Sequence, residues 1–577
     1  MDHQLVARGL FKPLLLFVAG LIVLYALRRR RHRRSSDLRL PPSPFGLPIL
    51  GHLHLLAPLP HQALHRLAAR HGPLLFLRLG SVPCVAACSP DAAREVLKTH
   101  EAAFLDRPKP AAVHRLTYGG QDFSFSAYGP YWRFMKRACV HELLAGRTLD
   151  RLRHVRREEV ARLVGSLRAS ADGGERVDVD AALMGLTGDI VSRMVMGRRW
   201  TGDDNDAEEM RSVVAETAEL TGTFNLQDYI GVFKYWDVQG LGKRIDAVHR
   251  KFDAMMERIL TAREAKRKLR RQAAADGEDD EKDLLDMLFD MHEDEAAEMR
   301  LTRDNIKAFM LDIFAAGTDT TTITLEWALS ELINNPPVLR KLQAELDAVV
   351  GGARLADESD IPSLPYLQAV AKETLRLHPT GPLVVRRSLE RATVAGYDVP
   401  AGATVFVNVW AIGRDAAWWP EPTAFRPERF VSGGGGGGTA ADVRGQHFHL
   451  LPFGSGRRIC PGASLAMLVV QAALAAMVQC FEWSPVGGAP VDMEEGPGLT
   501  LPRKRPLVCT VSPRIHPCRC CAALAAMVQC FEWSPVGGAP VDMEEGPGLT
   551  LPRKRPLVCT VSPRIHPLPA AASASLT

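Results

Sequence analysis

Hydrophobic and polar positions follow each other along most of the chain with the spacing of amphipathic helices, in which apolar residues recur every three or four positions. This pattern predicts helices at Pro90–Thr99, Leu149–Arg168, Ala247–Arg271 and Ala463–Phe481. Shorter apolar runs predict strands at Leu74–Leu79, Val82–Ala87, Thr404–Val409 and His449–Pro452. The chain is therefore expected to be mainly α-helical, with small β-sheets.

One apolar run, Leu14–Leu27, has fourteen residues without a charge, and Arg28–Arg34 adds six arginines directly after it. A membrane span needs about 20 residues, which flanking apolar residues and snorkelling cations can supply. Basic residues on the C-terminal side favour a cytosolic location for that side. A cleaved signal peptide carries its charges before the apolar core instead. We therefore predict an uncleaved anchor within residues 1–34, followed by a proline-rich hinge at 35–50.

The composition of the 577 residues, 46% hydrophobic and 24% charged, excludes a disordered chain and a polytopic membrane protein. A net charge of +5 gives no reason to expect a nucleic-acid partner. The eleven cysteines are an odd number and are scattered, apart from a group near the C-terminus. This distribution indicates a reducing compartment rather than a disulfide framework.

An internal duplication occupies the C-terminal part of the sequence. Residues 472–517 recur without a change at 522–567. Two identical segments cannot fill one packing site, so we predict that 518–577 is a surplus tail outside the core. Cys518–Cys521 has no matching Cys/His pair at zinc spacing. Asp276–Asp283 and the six glycines Gly433–Gly438 are predicted to be surface insertions.

The strongest chemical signal is the segment Phe453–Gly462, with the sequence FGSGRRICPG, which lies directly before the apolar helix. A cysteine at a helix N-terminus, here Cys460, lies in a positive field that favours the thiolate. Glycines such as Gly456 allow the backbone to approach a flat ligand, and Arg458 suits a carboxylate. A buried structural cysteine in a glycine turn is the alternative interpretation.

This segment resembles the Phe-x-x-Gly-x-Arg-x-Cys-x-Gly signature of the cytochrome P450 haem-thiolate monooxygenases. The resemblance covers roughly residues 41 to 517 and implies a single P450 fold, with the haem domain at 51–517. It also implies haem b as cofactor, with Cys460 as the axial iron ligand and Phe453, Gly456 and Arg458 as cofactor-binding residues.

A second segment, FAAGTDTT at Phe314–Thr321, lies inside a predicted helix. Alone, a gap of small residues with threonines is usually a helix-packing feature. In the resembled family this helix crosses the haem, so the resemblance implies that Ala316 and Gly317 contact the cofactor. It further implies that Asp319 and Thr320 deliver protons during catalysis.

Three further groups of residues match the family. Glu373 and Arg376 stand three positions apart on one helix face, where an exposed ion pair would be the default interpretation. The resemblance implies instead a buried structural triad with Arg429. It also implies that Trp132, Lys136 and Arg386 contact the haem carboxylates.

Electrons must come from another protein, because no G-x-G-x-x-G dinucleotide fingerprint follows a predicted strand. The resemblance implies an NADPH-dependent reductase as partner, O2 as co-substrate and a single-pass anchor in the endoplasmic reticulum membrane with a cytosolic catalytic domain. Arg457 and Arg458 suit an acidic partner.

The substrate is expected to be a small hydrophobic or phenolic plant metabolite. The chain is most similar to the branch with flavone synthase II, flavanone 2-hydroxylase and the isoflavonoid enzymes, which implies oxidation of a flavanone to a flavone or a 2-hydroxyflavanone. The family's substrate-recognition segments correspond to Ala111–Ala127, Thr221–Asp228, Phe309–Thr318, Thr380–Val385 and Gly496–Leu501. Phe123 and Phe125 are candidates to stack on such a substrate, or else belong to the core.

Other interpretations stay open at this stage. The substrate can be another phenolic compound or a terpenoid. A haem-thiolate isomerase or dehydratase is disfavoured by the intact Asp319–Thr320 pair. An inert product, in which the surplus tail blocks folding or the pocket, is the third alternative.

Overall fold

The computed structural model describes residues 38–199, 205–273, 282–296, 299–431, 441–514, 531–535 and 559–563, together with Gly20. The predicted anchor apart from Gly20, most of Asp276–Asp283, the insertion Gly433–Gly438 and the segment Cys518–Cys521 lie outside these residues. Within the described ranges, Ala463–Cys480 is the one helix long and apolar enough to cross a membrane. Because 67% of that helix is buried inside the protein, it is a core helix.

Helices make up most of the described chain. In chain order the α-helices are α1 Pro60–His71, α2 Pro90–Arg94, α3 Ala111–Leu116, α4 Pro130–Ala138, α5 Gly146–Arg151, α6 Arg153–Asp172, α7 Val179–Met196, α8 Asn205–Gly222, α9 Leu226–Tyr229, α10 Leu241–Ala273, α11 Leu284–Glu293, α12 Arg303–Asn334, α13 Pro336–Val349, α14 Pro365–Leu377, α15 Val409–Ile412 and α16 Ala463–Cys480. Short 3-10 turns occur at Leu53–Leu55, Glu101–Phe104, Gly231–Phe233, Glu358–Ser363 and Pro427–Phe430, and π-helical turns at Glu95–Thr99 and Cys139–Leu143.

The strands form small sheets. They are β1 Leu74–Leu79, β2 Val82–Ala87, β3 Arg176–Asp178, β4 Leu383–Arg387, β5 Ala392–Val394, β6 Tyr397–Val399, β7 Thr404–Asn408, β8 Phe481–Pro485, β9 Val508–Pro513, β10 Phe531–Pro535 and β11 Cys559–Pro563. The largest sheet has the order β1-β2-β7-β4, with β2 and β7 parallel and the other pairs antiparallel. Its β1–β2 register joins Leu74 to Ala87 and Leu79 to Val82.

The predicted fold class, mainly α with small sheets, is confirmed. The strands predicted at Leu74–Leu79 and Val82–Ala87 have the observed bounds. The predicted helix Leu149–Arg168 is interrupted at Leu152, where α5 ends and α6 begins. The predicted strand His449–Pro452 is wrong, because these residues form turns that lead into the cysteine segment. Their apolar side chains pack in the core without sheet pairing: Leu450 and Leu451 are buried.

Helix α12 is the central helix of the fold. Its start is fixed by a capping box, in which Thr302 Oγ1 accepts from Asn305 N at 3.1 Å and Asn305 Oδ1 accepts from Thr302 N at 3.0 Å. At 1.5 Å per residue its 32 residues span about 48 Å. Most of the helix is buried, and it packs on α7 and α16. The site segment Phe314–Thr321 therefore lies in the middle of the molecule.

Gly317 lies against Val191 of α7. A Cβ atom at this position would lie 2.9 Å from Cγ2 of Val191. A β-branched side chain has few rotamers with which to avoid that contact. The glycine is therefore required by helix packing.

The two copies of the duplicated segment occupy different sheets. In the first copy, β8 pairs with β9, and β9 also pairs with β3, which gives the order β3-β9-β8. In the second copy, β10 pairs with β11 in a separate two-stranded sheet. The register is the same in both: Phe481 faces Pro513, and Phe531 faces Pro563. We propose that strands β10 and β11 of the tail pair with each other and leave the first copy in the core.

A buried ion triad joins α14 to the turn Pro427–Phe430. Arg376 donates from Nε and Nη2 to the two carboxylate oxygens of Glu373, each at 2.7 Å, and Arg429 Nε donates to Oε1 at 3.0 Å. The side chains of Glu373 and Arg376 are 0% exposed. Arg376 Nη1 also donates to the carbonyl oxygens of Gly413 and Pro422. The predicted triad of Glu373, Arg376 and Arg429 is thus joined by one continuous set of hydrogen bonds.

Replacement of Gly317 by alanine is expected to destabilise the protein by about 1–3 kcal/mol, because the added methyl group overpacks the contact with Val191. Gly165→Ala on α6 is the matched control, since nothing lies within 4 Å of its added Cβ. That change is expected to stabilise by about 0.5–1 kcal/mol. Denaturant unfolding of both variants measures the difference, and equal effects would contradict the packing assignment.

Replacement of Glu373 by glutamine is expected to destabilise the protein by about 3–5 kcal/mol, because it leaves two buried guanidinium groups without a counter-charge. Glu421→Gln is the control: it breaks the exposed pair with Arg426 and is expected to cost less than about 1 kcal/mol. The measurement is thermal unfolding of the two variants. A Glu373→Gln variant as stable as Glu421→Gln would show that the triad does not hold this part of the fold together.

Candidate functional site

Cys460 lies in the turn that leads into α16. Its N–H donates to the carbonyl oxygen of Phe453 at 3.0 Å, which closes the Phe453–Cys460 segment into a loop. Gly454 and Gly456 adopt positive φ angles of 74° and 73°, a conformation that glycine takes without steric cost. Lys136 Nζ donates to the carbonyl oxygen of Ile459 at 2.8 Å, next to the cysteine. The loop is thereby held by its own hydrogen bond between Cys460 and Phe453 and by the bond from Lys136.

The Cys460 side chain is exposed although protein surrounds its sulfur. The residue therefore borders an interior space and not the outer surface. Burial raises the pKa of the thiol above its ordinary value, while the N–H groups of Gly462 and Ala463 and the cations Lys136 and Arg107 lower it. Coordination to a metal cation deprotonates a thiol outright. These donors suit a sulfur that carries negative charge once it binds a metal.

Ala316, like Cys460, is exposed although it lies deep in the fold. It lies halfway along α12, between the buried residues Phe314 and Thr318. Thr320 Oγ1 donates to the carbonyl oxygen of Ala316 at 2.7 Å. The helix therefore presents a methyl group and a hydroxyl group on the side that is not covered by other helices.

Asp319 interacts with a different part of the chain from Thr320. Its carboxyl lies near the side chain of Thr500 in the segment Gly496–Leu501; burial raises its pKa above the ordinary value, and the proximity of Thr500 partly offsets this. A carboxyl group with a raised pKa is suited to exchange protons near neutral pH. The two adjacent residues predicted to deliver protons thus use separate partners, the carbonyl of Ala316 and the hydroxyl of Thr500.

A cluster of arginines lies close to the cysteine loop: Arg107, Arg386 and Arg458. Arg386 and Arg458 are buried and Arg107 is half-buried. Their hydrogen bonds go to backbone carbonyl groups: Arg107 and Arg458 donate to Ser124 at 3.0 and 3.3 Å, Arg458 to Ser126 at 2.6 Å, and Arg386 to Val385 at 3.0 Å. None of the three forms an ion pair with a carboxylate in the part of the chain that the structure describes.

The unpaired positive charge of this cluster fits an anionic ligand. Burial lowers the pKa of all three arginines, and the proximity of Arg107 lowers the pKa of Arg386 and Arg458 further, the latter to about 10. Nε of Arg107 and Nε of Arg458 are buried without a hydrogen-bond partner. Buried charges are normally paired, so these donors suit the carboxylates of a bound cofactor. The thiol, the open helix face and the arginines together fit haem.

The aromatic residues near the cluster are partly structural. Trp132 is buried under the Arg458 guanidinium, 4.8 Å from the ring centroid. Phe123 stacks on Trp132 with ring centroids 5.8 Å apart, and it is 8% exposed. Of the two alternatives for Phe123, the structure favours the core. Phe125 remains half-buried and lies 5.7 Å from the Arg107 guanidinium.

The two glycines that are expected to contact the cofactor, Gly456 and Gly317, also lie close to protein atoms. A Cβ at Gly456 would lie 2.3 Å from Glu101 Oε1 and 2.7 Å from the carbonyl oxygen of Leu97. Gly317 faces Val191 on α7. The crowding at both positions comes from neighbouring elements, whereas Ala316 is exposed on the uncovered side of the helix.

The sequence did not reveal two residues of the site, Arg107 and Asp312. Arg107 stands between Asp106 and Pro108 in a polar stretch that carries no signal of a site, whereas Asp312 is a single carboxylate in the apolar run of α12. For Asp312 a charge in the middle of an apolar run was the available signal, because such a charge is retained only with a partner.

Comparison with known proteins agrees with this geometry. The family model described as cytochrome P450 matches residues 41–510. "Cytochrome P450 93A3" and "3,9-dihydroxypterocarpan 6A-monooxygenase" of Glycine max are each 50% identical to the chain, over 88% and 87% of it and over 99% and 98% of their own lengths. "Beta-amyrin 24-hydroxylase" of Glycine max is 44% identical over 87% of the chain and 99% of its own length.

Among solved structures, a zebrafish cytochrome P450 with progesterone matches with a TM-score of 0.67 and 27% identity. The match covers 79% of this chain and 99% of that one. The relatives with named monooxygenase activity extend the agreement from fold to chemistry, with haem iron as cofactor and NADPH-derived electrons delivered by a reductase. The chain belongs to the cytochrome P450 family and is a haem-dependent monooxygenase of plant secondary metabolism.

Proposed function

We propose that the chain oxidises a flavonoid, with a flavanone as substrate and a flavone or 2-hydroxyflavanone as product. The observation that carries this proposal is the 50% identity, over nearly the full length, to a relative named for a pterocarpan substrate. Pterocarpans and flavanones are both phenolic compounds with an oxygen-containing fused ring system and are of similar size. A pocket that accepts one class needs limited change to accept the other.

In this proposal the residues of the site have separate roles. Haem, when bound, supplies the oxidising chemistry. Cys460 would hold the iron, and Arg107, Arg386 and Arg458 would bind the haem carboxylates. Trp132 and Lys136 support this arrangement, because Trp132 lies beneath Arg458 and Lys136 holds the carbonyl of Ile459.

Proton delivery is proposed for Asp319 and Thr320. The Thr320 hydroxyl lies against the carbonyl oxygen of Ala316 on the open side of α12. Asp319 has a raised pKa and contacts Thr500. The raised pKa makes the Asp319 carboxyl easier to protonate, and the adjacent Thr320 hydroxyl lies on the open face of the helix, toward which a proton is passed.

The substrate pocket is proposed to lie between the turn Gly496–Leu501, the segment Thr380–Val385 and α12. Leu501 N donates to the carbonyl oxygen of Thr380 at 3.0 Å, and Trp327 Nε1 donates to the carbonyl oxygen of Leu501 at 2.8 Å. These bonds fix the turn to both neighbours. Leu383, Val384 and Val385 are half-buried, which leaves apolar surface for a flat ligand.

We also propose that the protein is held on the endoplasmic reticulum membrane by the apolar run in residues 1–34. A second apolar surface supports this location: Val232, Tyr235 and Trp236 are 74%, 84% and 69% exposed. Ser81 Oγ donates to the carbonyl oxygen of Tyr229, which connects this region to the start of the fold. Large exposed apolar side chains of this kind mark a contact with membrane or protein.

A triterpenoid is the second candidate substrate. The observation in its favour is the relative named beta-amyrin 24-hydroxylase, which is 44% identical to the chain. The two candidates differ in size and in aromatic character, so one assay can separate them.

The substrate assay uses the full chain with a plant reductase and NADPH. A flavanone such as naringenin is expected to shift the haem absorption spectrum away from its low-spin form when it binds. It is also expected to be converted to a flavone or 2-hydroxyflavanone, whereas β-amyrin stays unconverted. Conversion of β-amyrin alone would contradict the flavonoid proposal and support the triterpenoid one.

Thr320→Ala and Asp319→Asn are expected to lower product formation by about a hundredfold or more, because a positioned proton donor contributes on that scale. Thr324→Ala is the matched control, since Thr324 makes the same bond to the carbonyl four residues before it, at 2.8 Å against 2.7 Å for Thr320. The measurement is product formed per NADPH consumed. An equal loss in the Thr324 control would contradict the proton-delivery role.

A further inference from the structure

Asp312 is a carboxylate within the apolar run of the central helix α12, one turn before Ala316. Its neighbours Phe309, Met310 and Phe314 are buried apolar residues. Its Oδ2 accepts hydrogen bonds from the backbone N–H groups of Phe123 at 2.9 Å and Ser124 at 3.0 Å. The carboxylate thus ties the segment 122–126 to the helix that crosses the site.

A second carboxylate acts on the same segment. Asp122 is fully buried, and its Oδ2 accepts from Phe125 N at 2.6 Å. Three successive N–H groups, those of Phe123, Ser124 and Phe125, are therefore bound to carboxylate oxygens. With its N–H groups bound in this way, the segment is held in one conformation, and the directions of its carbonyl groups are fixed.

Those carbonyl groups bind the arginine cluster. The Ser124 carbonyl oxygen accepts from Arg107 Nη1 at 3.0 Å and from Arg458 Nη1 at 3.3 Å. The Ser126 carbonyl oxygen accepts from Arg458 Nη2 at 2.6 Å. A continuous set of hydrogen bonds therefore runs from α12, through the backbone of 122–126, to Arg107 and Arg458.

We infer that Asp312 is a positioning residue: it accepts the N–H groups of Phe123 and Ser124 and thereby orients Arg107 and Arg458 toward the carboxylates of the haem. The inference rests on the proposed assignment of these arginines to the cofactor. Asp312 touches neither the haem nor the substrate in this account and acts through the backbone of 122–126.

The alternative is that Asp312 acts by its charge, as a counter-ion of Arg107. Burial and the neighbouring Asp122 carboxylate raise the pKa of Asp312 well above its ordinary value. In either protonation state the carboxyl group keeps an oxygen that accepts both N–H bonds. An asparagine in its place retains an acceptor oxygen without charge, so Asp312→Asn separates the two mechanisms.

The test is the rate at which haem leaves the full-length holoprotein for excess apomyoglobin, followed by absorption without substrate. Asp312→Ala is expected to raise this rate about tenfold, the equivalent of one charge-assisted hydrogen bond. Asp312→Asn is expected to stay within about twofold of the unchanged protein, because an amide oxygen accepts the same bonds. Asp312→Leu, which fills the space without an acceptor, replaces the alanine variant if that variant does not fold.

Glu345→Ala is the matched control. Glu345 also accepts two backbone N–H bonds, from Tyr366 at 2.7 Å and Leu367 at 2.9 Å, at the start of α14. Its replacement is expected to lower the unfolding midpoint as much as Asp312→Ala does but to leave the haem transfer rate unchanged.

Two results would overturn the inference. Equal haem transfer rates for Asp312→Ala and Glu345→Ala would show that Asp312 only stabilises the fold. Fast haem transfer from Asp312→Asn would show that Asp312 acts by its charge. Because no substrate is present, a wrong flavonoid assignment leaves these outcomes unchanged. An unchanged protein without a thiolate-type carbon monoxide band would instead overturn the site assignment, and this inference with it.

Discussion

The structure around the site depends on one constraint, the burial of positive charge next to a cysteine sulfur. Burial lowers the pKa of Arg107, Arg386 and Arg458, and the charge of Arg107 lowers the pKa of Arg386 and of Arg458 further. In the described part of the chain they are held by carbonyl groups and not by carboxylates. An arrangement of this kind is costly unless an anion completes it. A haem, with two carboxylates and an iron that binds a thiolate, satisfies both requirements at once.

The triad of Glu373, Arg376 and Arg429 differs from this arginine cluster in how its charge is paired. There the carboxylate is bound by both guanidinium groups, and the remaining donors reach the carbonyls of residues such as Gly413 and Pro422. The charge is paired within the protein, so this cluster stabilises the fold and has no capacity for a ligand. The arginine cluster near Cys460 has that capacity because its pairing is incomplete.

Much of the account could be predicted from the sequence, because the relevant signals are local. The spacing around Cys460 indicated the site and family, and alternating or continuous apolar runs gave the bounds of β1 and β2. Residues whose role depends on distant partners were not predictable in this way. Gly317 is fixed by Val191 on another helix, and Asp312 by the backbone of a loop almost two hundred residues earlier. His449–Pro452 failed as a strand prediction because burial alone does not distinguish a strand from a packed turn.

The central claim is that Cys460 binds the haem iron as a thiolate within this cluster of cations. The most direct test is the carbon monoxide difference spectrum of the reduced full-length protein in microsomes, recorded beside Cys460→Ser. The account predicts a red-shifted, thiolate-type Soret band that is lost in the serine variant. An imidazole-type band in the unchanged protein, or a thiolate-type band that survives in Cys460→Ser, would contradict it.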